Sequence, residues 1–269
     1  MNFRLIPPSP LLSPFVRHYW FLEMEASEGA GHPQRVVPNG YVELTFHFGD
    51  RLRKVKLRED MQPGIIISGQ KTDFFDVVPT GKTSMLSIQF YPHSAGLFFD
   101  IPISELANET LDLREIAGQE ADELEDRLGN IQVLDNKVTL IERFLTNRLK
   151  RVEVYEWDRI AHNIALIGRH NGQISVAQLA GAACLSRKQH ERVFKKMVGL
   201  SPKQFLKVIR FQYALLAHQQ HPHESLTELA YRCGYYDQSH MINDFRDLSG
   251  ITPGQYFNAC ETPYSDYFE

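Results

Sequence analysis

The first hundred residues carry the hydrophobic pattern of β-strands. Residues 41–48 alternate apolar and polar side chains, which places the two kinds on opposite faces of a strand. The polar face of this strand carries Glu43, Thr45 and His47. Three further apolar runs, bounded by turns rich in Gly, Pro, Asn and Asp, are residues 15–22, 64–69 and 85–90. Several short strands at such intervals predict a β-rich sandwich or half-barrel.

Beyond residue 104 the apolar spacing changes to three and four residues, which is typical of helices. A polar stretch at 151–156 then predicts a linker. We therefore expect an α+β protein of two domains. The first would span 1–152, with a helical extension over about 104–151, and the second would be all-α and span 157–260.

The composition is that of an ordinary globular protein. The chain has 269 residues, 43% of them hydrophobic and 23% charged, which excludes a disordered or fibrous chain. Its 29 Lys and Arg against 33 Asp and Glu give a net charge of −4. Binding to nucleic acid must therefore rest on a local basic patch.

Neither the N-terminus nor any apolar stretch predicts a signal peptide or a membrane span. Three scattered cysteines give no disulfide framework and no zinc-finger spacing. We expect a cytoplasmic protein without a membrane partner, a bound metal or a cofactor.

The second half repeats itself with a period of about 50 residues. Leu179-Ala180 precedes a turn, a helical run and Gly199-Leu200-Ser201-Pro202, and Leu229-Ala230 precedes a turn, a helical run and Gly250-Ile251-Thr252-Pro253. Each Gly suits a helix C-terminus, and each Ser-Pro or Thr-Pro pair suits the start of a helix. The pattern predicts two helix-turn-helix units joined by one long helix, from about 202 to 218.

A basic run accompanies the first unit. Between Arg187 and Arg210 eight basic residues stand against one acid, Glu191. Such a local excess can neutralise phosphates even in an acidic chain. Because the run falls on the helix that the motif projects outward, we interpret it as a DNA-binding surface.

These motifs together resemble the DNA-binding domain of the AraC/XylS family of bacterial transcription regulators, over residues 159–259. More weakly, Pro38-Asn39-Gly40 and Ser68-Gly69-Gln70 resemble a β-rich sensor-like domain attached to such regulators. The resemblance implies that the second helix of each unit enters the major groove, with half-sites about 34 Å apart. The partner would be double-stranded DNA.

The implied DNA contacts fall into two groups. Base edges would be read by Lys188, Glu191 and Arg192 on the first recognition helix and by Gln238, Ser239, His240 and Asn243 on the second. Phosphates would be bound by Lys195, Lys196, Lys203, Lys207 and Arg210. Arg192 fits a phosphate contact or a structural role equally well.

Three features depart from the family pattern. Cys184 occupies a turn position where the family has Gly, and a left-handed backbone there costs about 1 kcal/mol. His190 stands where a buried Leu is expected, and we interpret it as a core histidine. Asp237, Asp244 and Asp247 make the second recognition helix acidic, so we expect it to contribute less affinity.

The function that we predict is a sequence-specific, non-enzymatic transcription regulator. Its first half would sense a small molecule, through Glu43, Thr45 and His47, or mediate self-association as a homodimer. The alternative is a β-domain enzyme or metal-binding protein that the helical domain tethers to DNA. A third interpretation is a constitutive DNA-binding protein whose first half only dimerises.

Overall fold

The computed structural model describes residues 1–25, 33–55, 61–151 and 154–259. It confirms an α+β protein, with antiparallel sheets first and a helical part second. The strands are β1 (Asn2–Ile6), β2 (Val16–Met24), β3 (Gln34–Val36), β4 (Val42–His47), β5 (Leu52–Lys54), β6 (Ile65–Ser68), β7 (Phe75–Pro79), β8 (Thr83–Phe90) and β9 (Thr110–Asp112). The helices are α1 (Arg114–Ala117), α2 (Gln119–Gly129), α3 (Leu134–Arg148), α4 (Val154–Arg169), α5 (Val176–Ala182), α6 (Arg187–Val198), α7 (Pro202–Gln220), α8 (Leu226–Arg232), α9 (Gln238–Ser249) and α10 (Pro253–Ala259).

The strands form the predicted sandwich. Six of them pair in the order β1-β2-β8-β4-β6-β9, and a second sheet has the order β3-β7-β5. All pairs are antiparallel, with Leu44 of β4 opposite Ile88 of β8 and Ile67 of β6. The two sheets meet through the small apolar cluster of Leu22, Leu52, Val77 and Met85.

The alternation of β4 decides which side of the large sheet is covered by helices. Val42, Leu44 and Phe46 are buried in one core with residues of α2 and α3, such as Leu124 and Ile141. The trailing helices therefore cover one face of the six-stranded sheet. Glu43 and Thr45 point the other way, toward the three-stranded sheet.

The described C-terminal residues form seven helices, α4–α10, around two apolar cores. One core includes Phe194 and Phe205, and the other includes Phe211 and Phe245. Helix α7 contributes residues to both cores, so it connects the pair α5 and α6 to the pair α8 and α9. The predicted long helix is thus confirmed and continues to Gln220.

The two halves of the chain meet at more than one place. Helix α4 begins at Val154, inside the stretch predicted as a linker, while residues 152–153 of that stretch lie outside the described residues. Val37 is buried in the core that contains Phe211, and Phe74 packs against the same core. A short turn at Ile103–Glu105 lies against α6.

Candidate nucleic-acid interface

The two predicted units share the same backbone geometry. Helices α5 and α8 begin with the same capping box. The hydroxyl oxygen of Ser175 or Ser225 accepts from the amide three residues later, and the serine amide donates to the side chain of that same residue. Both helices end in a left-handed residue, at Cys184 with φ +52° and Gly234 with φ +72°. The expectation for Cys184 is therefore confirmed.

The hydrogen bonds of the two turns also correspond. The amide of Leu185 donates to the carbonyl of Ala180 at 3.0 Å, and the amide of Tyr235 donates to the carbonyl of Ala230 at 3.0 Å. The sequence repeat is thus a structural repeat: two turns of one design orient α6 and α9 relative to the helices before them.

Caps define the ends of both recognition helices. Ser186 caps α6 with a capping box, and the Asp237 carboxylate accepts from the amide of His240 at 2.7 Å at the start of α9. Gly199 and Gly250 end the two helices with φ +93° and +77°. Ser201 caps α7 directly before Pro202, as the sequence predicts.

His190 is a core histidine, as we interpreted it. It is fully buried on the inner side of α6, where the centre of its ring lies 5.6 Å from that of Phe194. The amide nitrogen of Asn163, on α4, lies 2.7 Å from Nε2 of His190 and also donates to the carbonyl of Leu179 at 3.2 Å. Burial lowers the pKa of His190 and the neighbouring Glu191 charge raises it, with a net decrease. The imidazole is therefore held in its neutral form.

The charged side chains of α6 project into solvent. Six of the predicted DNA contacts are exposed on α6 and on the first turn of α7; they are Lys188, Glu191, Arg192, Lys195, Lys196 and Lys203. Apolar partners such as Val193 and Phe194 occupy the opposite side of α6 and are buried. This division leaves a cationic face that can approach phosphates.

One end of that face borders the β-rich half. Arg192, Lys195 and Lys196 line an open cleft of about 680 Å³ together with Ile103 and other residues of the first half. Lys196 forms an ion pair with Glu156 of α4 at 3.5 Å. A duplex that reaches these side chains must therefore lie beside the β-rich half.

Two predicted phosphate contacts on α7 are engaged within the protein. The Lys207 ammonium lies 3.2 Å from Asp244 and 2.6 Å from Asp247. Burial alone would lower the pKa of Lys207, but these two carboxylates outweigh it and raise the pKa. Arg210 is half-buried, with its guanidinium 5.4 Å from the Tyr235 ring. Both side chains brace α7 against the second unit.

Of the four base contacts predicted on α9, two are exposed and two contact other residues of the protein. Ser239 and Asn243 are exposed. Gln238 is half-buried and accepts from the Thr227 hydroxyl at 2.9 Å. His240 is half-buried as well and stands edge-on to the Tyr235 ring at 5.2 Å. Of these four side chains, Ser239 and Asn243 are therefore the two that DNA could contact without a change in their conformation.

The structure places Glu43 and Thr45 in one cavity, which His47 adjoins without lining it. Glu43 and Thr45 line a cavity of about 110 Å³ between the two sheets. His47, the last residue of β4, lies beside Gln62 of that cavity and also borders a second, open cavity at the end of the strand. Burial lowers the pKa of His47 to about 4, because the charged imidazolium is penalised there.

Sequence reasoning missed three polar residues of the first cavity. Asn39, Gln62 and Ser68 line it together with Glu43. The Asn39 amide donates to Glu43 Oε1 at 2.8 Å, as does the Gln89 amide, and the Ser87 hydroxyl reaches Oε2 at 3.3 Å. Burial raises the pKa of Glu43 against these three hydrogen bonds, which lower it. The Pro-Asn-Gly turn was the available signal for Asn39.

Within the described ranges, no group of three or more His, Cys, Asp or Glu side chains could hold a metal ion. His218 stacks on Phe257 with ring centres 3.7 Å apart. In the same part of the chain no helix combines the length and apolarity needed to cross a bilayer.

Comparison with protein families decides the class of the helical half. Residues 179–259 match the family model described as Helix-turn-helix domain, and residues 4–112 match Domain of unknown function (DUF6597). The helix-turn-helix match begins within α5 and covers both turns and both recognition helices. Residues 179–259 are a helix-turn-helix domain of the AraC/XylS type.

Curated relatives match through this AraC-type domain. The probable transcriptional regulator LumQ of Photobacterium leiognathi is 36% identical over 86 residues, which are 31% of this chain and 34% of LumQ. The HTH-type transcriptional regulator MtrA of Neisseria gonorrhoeae is 33% identical over 99 residues, 36% of this chain and 33% of MtrA. The match thus spans about a third of the length of each relative.

Among solved structures, the DNA-binding domain of AdpA, in complex with a target DNA, is 30% identical to this chain. It has a TM-score of 0.35 and covers 37% of this chain and 90% of its own. Within the AraC-type domain of the present protein, α6 and α9 are the helices that follow the two turns.

Proposed function

We propose that this protein is a sequence-specific DNA-binding transcription regulator. In this proposal residues 157–260, which contain the AraC-type domain, read DNA, and residues 1–152 control that binding. The observation that carries the proposal is the exposed cationic face of α6 within a duplicated helix-turn-helix framework. Exposed cations on a projecting helix can neutralise DNA phosphates. The counterions that the DNA then releases favour association.

The side chains divide the work by their chemistry. Arg192 can fork onto guanine, Lys188 can reach the same acceptors, and Glu191 can accept from cytosine. Asn243 suits adenine, with Ser239 beside it. Lys195, Lys196 and Lys203 hold the backbone and carry no sequence information. The two carboxylates around Lys207 favour a structural role for that residue over the phosphate contact that we first expected.

The names of the relatives support this function. LumQ and MtrA are both named as transcriptional regulators, and each matches over the AraC-type domain. We propose no catalytic activity, because a regulator of this type needs none. The first half would act by binding a small molecule or by self-association, either of which favours one arrangement of the two halves.

The test is selection of bound sequences from a random DNA pool by the purified full-length chain at defined salt. We expect one sequence motif to emerge, bound with an affinity that falls as salt rises. Lys195→Ala should weaken this binding. Lys150→Ala is the control, because Lys150 belongs to neither recognition helix and its ammonium pairs with Asp100. Enrichment of no motif would contradict the proposal.

Self-association is measured on the same protein by sedimentation at several concentrations. A dimer that persists when residues 157–260 are removed would place the contact in the first half. A monomer at every concentration would leave small-molecule control as the proposed role of that half.

A further inference from the structure

The cavity between the two sheets has a size that limits its ligand. Its volume is about 110 Å³, measured with a water-sized probe. By this measure one water needs roughly 10–15 Å³, so the cavity holds a molecule of about seven to ten non-hydrogen atoms. Most of the wall is apolar, including Trp20, Val37, Phe75 and Met85. The body of a fitting ligand is therefore apolar.

The polar part of the wall selects the head group. Among the described residues that line the cavity, Glu43 is the only ionisable one, and none of them is Lys, Arg or His. A ligand carboxylate or phosphate would face the Glu43 carboxylate without a counter-charge, in a buried place where this is most unfavourable. The lining therefore rejects anions.

Glu43 retains capacity for one further donor. Burial raises the pKa of Glu43, and a cationic or hydrogen-bond-donating ligand favours its ionised form, which has about four acceptor sites. Three are taken by the Asn39 amide, the Gln89 amide and the Ser87 hydroxyl, and the last of these contacts is long at 3.3 Å. A hydroxyl or an ammonium group on the ligand could complete the set.

One wall of the cavity is also an interface with the helical half. This wall is the segment 35–40, of which Val36, Val37 and Asn39 line the cavity. On its other side, the Pro38 carbonyl accepts from the Gln212 amide of α7 at 2.6 Å. Gly40 lies against the same helix, where a Cβ would stand 3.0 Å from Ile209 Cδ1.

The start of the same segment contacts the end of the second recognition helix. Arg35 Nη1 donates to the carbonyl of Ser249, the last residue of α9, at 2.9 Å. A bidentate pair with Asp76, at 2.9 and 3.0 Å, and the Phe74 ring at 4.1 Å hold the guanidinium in place. Segment 35–40 thus touches both α7 and α9.

We propose that the cavity binds a small apolar molecule with a hydrogen-bond-donating head group, an amine or an alcohol, and that segment 35–40 transmits its occupancy to α7 and α9. The inference deepens the proposed function, on which its second part rests. A ligand bound at Glu43 lies against Asn39, which lines the same cavity and donates to the same carboxylate, and any shift of Asn39 moves Pro38 and Gly40 with it.

Binding is tested by Trp20 fluorescence in the full-length Trp157→Phe variant, since the chain has two tryptophans. The probes are 4-methylpentylamine, 4-methylpentan-1-ol and 5-methylhexanoate, which share the 4-methylpentyl group. We expect saturable changes with the amine and the alcohol and none with the acid. Binding of the acid as tight as that of the amine, or no binding of either the amine or the alcohol, would overturn the ligand class.

Two variants locate the site. Glu43→Gln should weaken amine binding about tenfold, because a charge-assisted hydrogen bond becomes neutral, and leave the alcohol nearly unchanged. Ser68→Leu fills the cavity and should abolish both signals, with circular dichroism as the check of folding. Unaltered binding in Ser68→Leu would place the probe elsewhere and refute the assignment.

Transmission is tested with the selected DNA. A saturating amine should change the DNA affinity of the wild-type chain by about fivefold or more. In Gln212→Ala, which leaves the cavity lining intact, the amine should bind as before and alter DNA affinity less. Unchanged DNA affinity on amine binding in the wild type would refute transmission. Absence of DNA binding would refute the proposed function, while the Trp20 titration would still decide the ligand class.

Discussion

The amide nitrogen of Asn163 lies 2.7 Å from Nε2 of His190, and both residues are fully buried. The pair connects α4 to the buried side of the first recognition helix, at a position where we expected an apolar side chain. Its hydrogen bond requires the neutral imidazole, which burial also favours.

A pH dependence of stability follows from this pair. Because the pKa of His190 is lowered on folding, its contribution is present above the unfolded value of 6.5 and is lost as pH falls below it. The unfolding free energy of the wild type should therefore decrease between neutral and mildly acidic pH. We expect this decrease to be smaller in His190→Leu, by at most about 1.4 kcal/mol per pH unit. Urea unfolding of the full-length chain at several pH values measures it.

The matched control for this prediction is His223→Ala, since His223 is exposed. This variant should keep the wild-type pH dependence. A His190→Leu profile parallel to that of the wild type would show that the imidazole is not held neutral.

The left-handed turn residue of the first unit offers a stabilising substitution. Cys184 has φ +52° and is exposed, so glycine there relieves backbone strain without removing buried contacts. We expect Cys184→Gly to raise the unfolding free energy by about 1 kcal/mol. Denaturant unfolding tests it, with Cys184→Ala, which keeps the strain, as the control.

The equivalent position of the second unit should respond in the opposite direction. Gly234 has φ +72°, and a Cβ there would stand 2.7 Å from Gln173 Cγ. Gly234→Ala should therefore lower the unfolding free energy by about 1 kcal/mol or more. Equal effects of both substitutions would contradict the equivalence of the two turns.

Lys203 and Lys207 stand one helical turn apart on α7, and we expect them to differ in role. Lys203 is exposed, whereas Lys207 is paired with Asp244 and Asp247. Lys203→Ala should reduce the slope of log affinity against log salt by about one and leave stability unchanged. Lys207→Ala should lower the unfolding free energy by about 1–3 kcal/mol, because the buried Asp244 loses its ammonium partner and, among the described residues, keeps only His240, at 3.8 Å.

DNA titrations at several salt concentrations and urea unfolding of both variants measure this difference. A reduced salt slope for Lys207→Ala in a chain of unchanged stability would restore Lys207 to the phosphate contacts.

Arg192 and Lys195 should separate base reading from phosphate binding. Arg192→Ala should relax the preference at one base position, at a cost of about 1–3 kcal/mol for the correct base. Lys195→Ala should weaken binding to all sequences alike. Repeating the DNA selection with each variant distinguishes the two patterns. A uniform loss for Arg192→Ala would assign that residue to a phosphate.

The features that the sequence predicted well are those with a local cause. The alternation in β4 and the spacing of Gly, Ser and Pro around α6 and α7 act over a few residues, so pattern alone reveals them. The small sheet escaped prediction because β3 and β5 have three residues each and pair with β7, which is distant in sequence. Such short strands are defined by tertiary pairing.

The same distinction applies to the site. Exposure of the α6 cations follows from helical periodicity and was predictable. The pairing of Lys207 with Asp244 and Asp247 joins two helices about 40 residues apart, which no local pattern encodes. Likewise, only the folded sandwich brings Asn39 to Glu43 and leaves His47 at the end of its strand, outside the cavity.

The contact between the turn at Ile103–Glu105 and the end of α6 limits how this protein can be recombined. A Cβ on Gly199 would stand 2.9 Å from the carbonyl oxygen of Ile103, so the two backbones are matched in shape. A chimera that joins a foreign N-terminal half to α4–α10 would have to reproduce this contact as well as the covalent connection between the halves. The two halves are therefore fitted to each other at this contact, and we expect substitutions on one side of it to require changes on the other.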